Sequence, residues 1–212
     1  MGRTKRWSVL LATLAVVVMM TGTPAGAITN GQLDGDDHPY VGLMVADDAD
    51  GESLWRCSGA LISPTVYVTA GHCVEAPAVT ATIWFESDVQ SGIPDNGYPE
   101  GGPTSVDGTV YTFGKYNKDA FFLHDLGVVV LDKPVSLDRY ASLPEIGVVD
   151  TFRSGRRGDT VTAVGYGLQK IIDNPVQGPV FLEGDRIRYQ AELMIVDTRV
   201  LPVSAASPAP IR

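Results

Sequence analysis

Apolar residues in this chain come in short runs, alternating with polar ones at Ile187–Val196, and the runs are separated by clusters of Gly, Pro, Asp and Ser. That pattern predicts strands rather than helices. Val41–Val45, Leu54–Ile62, Val66–Thr69, Val79–Phe85 and Val110–Phe113 read as strands, as does the apolar run from Leu126 to Leu131 that ends at Lys133-Pro134. Asp34–Tyr40 and Asp47–Glu52 are turns, Ser63-Pro64 reverses the chain, and Ser87–Gly108 is predicted to be a long surface loop. Beyond a connector at Leu137–Ser154, two further strands are expected at Gly158–Gly167 and Ile187–Val196, followed by a Pro/Ala-rich tail at 201–212 without periodicity. The fold class is therefore all-β. One apolar run breaks the pattern. Val9–Met20 follows Arg3, Lys5 and Arg6 and precedes Ala25-Gly26-Ala27, which predicts a secretory signal peptide over residues 1–27 and export from the cell.

Charge narrows the function. The 212 residues carry a formal net charge of −9, and removing 1–27 takes away three basic residues and no acidic one. An acidic exported chain is a poor match for nucleic acid, whose phosphates need a basic face. After signal cleavage no membrane attachment is expected. The three histidines, His38, His72 and His124, lack the short fixed spacings of a metal site, so neither a metal nor another cofactor is predicted. His38 lies in a polar turn and reads as a solvated or locally hydrogen-bonded loop residue.

Candidate chemistry centres on the segment Cys57-Ser58-Gly59-Ala60-Leu61-Ile62, the Ser63-Pro64 turn, the strand Val66–Thr69 and then Ala70-Gly71-His72-Cys73. A histidine at a strand end is held rigidly while its ring reaches out of the sheet, as a general base requires. This segment resembles the histidine segment of trypsin-like serine proteases. His124-Asp125 followed by Leu126–Leu131 resembles the aspartate segment of the same family, and Gly165-Tyr166-Gly167 the first strand of its second barrel. The resemblance implies His72 as general base, Asp125 as the acid that orients it, and Cys57 with Cys73 as a disulfide. Such a bond across so short a loop is worth on the order of 3 kcal/mol. It also implies a mature N-terminus at Ile28 in Ile28-Thr29-Asn30-Gly31, whose amino group would insert into the second half of the protein.

The implied architecture is a trypsin-like double β-barrel, the first barrel complete over 28–143 and the second truncated within 144–200. No serine sits in the family's Gly-Asp-Ser-Gly-Gly setting; Ser154 in Arg153-Ser154-Gly155 is the nearest, and it lies in the connector. The expected function is trypsin-like serine endopeptidase by lineage, acting on protein or peptide substrates, with the nucleophile absent from these residues and turnover lost with it. The alternative is a secreted pseudoprotease that binds proteins without cleaving them.

Overall fold

A computed structural model describes residues 31–120, 123–155, 158–174, 178–182 and 184–196. The expected signal peptide, Ile28 and the tail from 201 lie outside the described residues. In chain order the strands are β1 (Gln32–Leu33), β2 (Val41–Asp47), β3 (Ser53–Ser63), β4 (Val66–Thr69), β5 (Thr80–Trp84), β6 (Ser105–Thr112), β7 (Gly127–Leu131), β8 (Thr160–Gly165), β9 (Lys170–Asn174), β10 (Gly178–Leu182) and β11 (Tyr189–Met194). Strands β2 to β7 close into a six-stranded antiparallel barrel in the order β2-β3-β4-β7-β6-β5. The all-β expectation and the complete first barrel hold. Among the described residues the second barrel is only partly built, as an antiparallel sheet β1-β11-β8 and a separate hairpin β9-β10. None of the described helices is long and apolar enough to cross a membrane.

Strand β2 explains how the two parts meet. All seven of its residues are buried, because its alternating side chains serve two cores. Met44 and Ala46 face the barrel interior with Leu61, Tyr67, Ile83, Val129 and Leu131. Val41, Leu43 and Val45 face the other way, onto Trp84, Val89 and Tyr166. The second cluster is the floor on which β8 rests, since Val164 packs against it.

The loop expected over Ser87–Gly108 is corrected at both ends. Ser105–Thr112 is strand β6, paired with β5 and β7. Its polar and glycine content conceals it: Gly108 is buried where a Cβ would lie 2.6 Å from the Val130 carbonyl oxygen, so the position excludes the apolar side chain that would have revealed the strand. The remainder is not all surface either. Val89 and Asn96 are buried, Asn96 donates to the Val89 carbonyl at 2.8 Å, and the Trp84 indole N–H reaches the Asn96 carbonyl at 3.2 Å. Strands β1, β9 and β10 are additions to the sequence reading, β10 being obscured by Gly178 and Pro179 at its start.

A buried cation ties the halves together. Arg188, 1% exposed, donates through Nε to Asp34 at 2.8 Å, through Nη1 to the carbonyls of Val41 (2.9 Å) and Phe85 (3.1 Å), and through Nη2 to the Gly35 carbonyl at 2.6 Å. Its Nη1 also lies 3.3 Å from the Tyr166 hydroxyl, which donates to the Glu86 carbonyl at 2.6 Å. Burial pushes the Tyr166 phenol up to about 12, against the pull of the Arg188 charge and hydrogen bond. Asp34 also accepts from His38, through the ring at 2.6 Å and the backbone N–H at 3.1 Å, so of the two settings expected for His38, solvated or locally hydrogen-bonded, it has the second.

A buried ion pair adds little over a well-packed apolar pair, but removing one member leaves the other charged and unpaired. Arg188→Ala is therefore expected to cost about 3–5 kcal/mol in urea unfolding. A loss under about 1 kcal/mol, the range of an exposed pair, would show that this network does not hold the halves together.

Candidate active site

The barrel register creates the site. β4 and β7 are antiparallel neighbours with Thr69 opposite Gly127. The chain leaving the end of β4 therefore emerges beside the chain entering β7, and residues three past Thr69 and two before Gly127 meet. Those residues are His72 and Asp125. A single 3₁₀ turn, Gly71–Cys73, carries the histidine out of the sheet, closed by the Cys73 N–H on the Ala70 carbonyl at 3.2 Å. Gly127 has no room for a side chain: a Cβ would lie 2.6 Å from the Ala70 carbonyl oxygen and 2.3 Å from Val74 Cγ2. That close approach lets the two segments lie in contact.

Asp125 grips His72 twice. One carboxylate oxygen accepts the His72 backbone N–H at 2.8 Å and the other lies 2.8 Å from ring Nδ1. An ionised carboxylate only accepts, so Nδ1 carries the proton and, in the neutral ring, the lone pair is on Nε2. Nε2 makes no hydrogen bond among the described residues, and the His72 side chain is 51% exposed. Partial burial acts to raise the Asp125 pKa, but the hydrogen bonds and charge of His72, with the Gly71 N–H, outweigh it and hold the carboxyl below its ordinary range. The arrangement is an oriented imidazole with its basic nitrogen facing outward.

The turn is braced from behind. Cys57 in β3 and Cys73 form a disulfide with a Cα–Cα distance of 6.1 Å, within the range an unforced bridge needs. Trp55 donates its indole N–H to the Cys73 carbonyl at 2.9 Å, and Thr112 its hydroxyl to the Val74 carbonyl at 2.8 Å. His124 adopts φ 58° just before Asp125, a left-handed conformation uncommon outside glycine, and its carbonyl accepts the Leu126 N–H at 2.8 Å. Trp55, Thr112 and the His124 backbone escaped the sequence reading; only the indole beside Cys57 gave any signal. Cys57, His72 and Cys73 offer S, N and S atoms within 4.8 Å of one another, but a disulfide leaves no thiolate to hold a metal. Among the described residues no hydroxyl hydrogen-bonds to the His72 ring.

The sequence model of the family described as "Trypsin" matches residues 35–179, more than half of the chain. The chain belongs to the trypsin family. Among the relatives it resembles, a chymotrypsin of Phaedon cochleariae is 27% identical over 147 residues, covering 68% of this chain and 50% of the relative. CLIP domain-containing serine protease B10 of Anopheles gambiae is 25% identical over 168 residues, covering 70% and 45%. The chain thus spans about half the length of the curated relatives it matches. Solved structures show the same fold. HL collagenase superposes with a TM-score of 0.58 at 20% identity, over 80% of this chain and 64% of that one. The scabies mite inactivated protease paralogue S-D1 gives 0.56 at 16% identity, over 80% and 62%. The inactivated mite paralogue shares the trypsin fold as well as the collagenase does, so fold alone does not decide activity here.

Two outcomes follow for this trypsin-family site. Replacing both Cys57 and Cys73 by Ser is expected to cost about 3 kcal/mol in urea unfolding, for a bridge spanning 16 positions; a change within about 0.5 kcal/mol would mean the bond does not brace the turn. The lowered Asp125 pKa gives a sign for acid. Its contribution to stability is complete above the ordinary value of 3.8 and is lost as pH falls through the lowered folded value. Asp125→Asn should flatten that part of the stability–pH curve, and an unchanged curve below pH 3.8 would refute the coupling.

Proposed function

We propose that this chain carries the base and orienting acid of a trypsin-like serine endopeptidase, the division between its barrels falling near residue 143. The observation that carries the reading is the double contact of Asp125 with His72, at 2.8 Å to the backbone N–H and 2.8 Å to Nδ1. Membership of the trypsin family supports it.

In that family's reaction a serine hydroxyl attacks the scissile peptide carbonyl while its proton passes to the histidine. The resulting imidazolium then protonates the leaving amine, and the cycle repeats with water to release the acyl group. His72 Nε2 is the proton acceptor in this assignment. Asp125 keeps Nδ1 protonated and stabilises the imidazolium. The nucleophile and the donors that stabilise the tetrahedral oxyanion are assigned to a segment outside these 212 residues. A cavity of about 430 Å³ beside the turn, lined by Ser58, Ala60, Thr69, Ala70, Leu143 and Val164, is where we place such a segment.

Without that segment the 212-residue chain turns over no peptide. The substrates of the assembled enzyme are proteins or peptides. Ile28 is the new N-terminus released when 1–27 are removed, and the protein works outside the cell, as its disulfide and N-terminal pattern suit. A protein-binding pseudoprotease is less favoured, because binding has no chemical need for the His72–Asp125 pair.

Intact mass after treatment with a fluorophosphonate tests the proposal. The 212-residue chain should stay unlabelled, whereas a longer product of the same gene should label and cleave peptides. In that longer product His72→Ala should lower kcat on the order of 10⁴-fold or more. Labelling of the 212-residue chain, or a longer chain indifferent to His72→Ala, would overturn the assignment.

A further inference from the structure

Among the described residues three buried side-chain polar atoms lack a hydrogen-bond partner: Arg56 Nη1, Arg186 Nε and Glu86 Oε2. The two arginines line one pocket of about 240 Å³ on the barrel wall. Arg56 sits in β3 between Trp55 and Cys57, which pack against the barrel core, so alternation turns its side chain outward. Its Nη2 donates to the Gly184 carbonyl at 3.3 Å, which leaves Nη1 buried and unused. Arg186 is fixed from below, its carbonyl accepting the N–H groups of Val89 (2.9 Å) and Gln90 (3.2 Å), and its guanidinium lies over the Tyr98 ring at 5.3 Å. Two segments distant in sequence thus bring two positive charges to one recess, and a third supplies the Tyr98 ring.

We propose that this pocket binds a carboxylate of an acidic peptide segment. A guanidinium does not lose its proton, so neither arginine relieves its burial by becoming neutral; only an acceptor completes the unused N–H groups. Among the described residues no Asp or Glu lines the pocket to supply one, and Glu86 faces a different recess beside Lys133. The planar fork of donors suits a carboxylate. Val45, Leu54, Trp55 and Pro99, which line the wall with Ser53 and Tyr98, would cover the apolar stem and neighbours of an acidic side chain, which a free inorganic anion does not offer. The chain as a whole carries −9, so a recess lined by two arginines departs from its overall charge and selects acidic segments locally. Nucleic acid would be repelled by the net negative charge of the chain. The pocket is independent of whether the chain cleaves peptides.

Fluorescence anisotropy with a fluorescein-labelled, amidated tetraglutamate peptide on the full 212-residue chain tests this, with tetralysine as the comparison. The expected result is saturable tetraglutamate binding that weakens with salt, no tetralysine binding, and about tenfold or greater weakening in Arg56→Gln and in Arg186→Gln. Near-UV circular dichroism identifies any variant that fails to fold, in which case the other variant decides. Competition on the unmodified chain needs no variant. Inorganic phosphate that displaces the peptide at equal or lower concentration would make this a small-anion site and overturn the peptide assignment. Absence of tetraglutamate binding, or binding indifferent to both substitutions, would also overturn it.

Discussion

The contact between β4 and β7 is the constraint on which the site depends. Thr69 stands opposite Gly127, and the chain beyond each meets the other only in that register. Because side chains alternate across a strand, a slip of one residue would move Tyr67 and Val129 out of the barrel core. The register is thus fixed by apolar burial several residues away from any polar chemistry. The meeting of a basic and an acidic side chain is a by-product of packing that the core enforces. Backbone proximity then does the fine positioning, with Gly127 against Ala70 and the disulfide behind the turn.

A second constraint acts between the parts. Strand β2 has no solvent face, so the barrel cannot be finished by its own interior alone. Its outer side needs Trp84, Val89 and Tyr166, and around their margin Arg188 collects carbonyls from Val41, Phe85 and Gly35. The N-terminal segment, the barrel and the partial second sheet share one set of buried hydrogen bonds. Trypsin-family membership describes this arrangement; the apolar outer face of β2 is what makes it necessary.

Much of the barrel was legible because its strands follow the simple rule that one face is wet and one dry. β3, β4, β5 and β7 fall close to the runs their Val, Ile, Leu, Tyr and Trp residues mark out. β6 was misread in part because its central position, Gly108, is occupied by a neighbour's backbone, and a strand without an apolar centre looks like a loop. His72 and Asp125 were picked out by local motif, and the structure brings them together. Arg188 was invisible for a different reason: its partners Asp34 and Gly35 lie in a turn that looks solvent-exposed, and nothing local marks a cation as buried. The left-handed backbone at His124 was equally silent, since glycine or asparagine would have announced it and histidine does not.

The separation of Asp34 from Arg188, 154 positions, also sets an order on biosynthesis. Every strand of the closed barrel is complete by Leu131, so that unit has all of its own pairing partners while the rest of the chain is still being made. Asp34 is translated ahead of the barrel strands, yet its cation comes only after all of them. Until Arg188 emerges the Asp34 carboxylate has His38 but no cation from the second sheet to bind, and the outer side of β2 waits for Tyr166. At that point in synthesis the barrel has all of its strands but an unsealed flank, the surface a chaperone would hold.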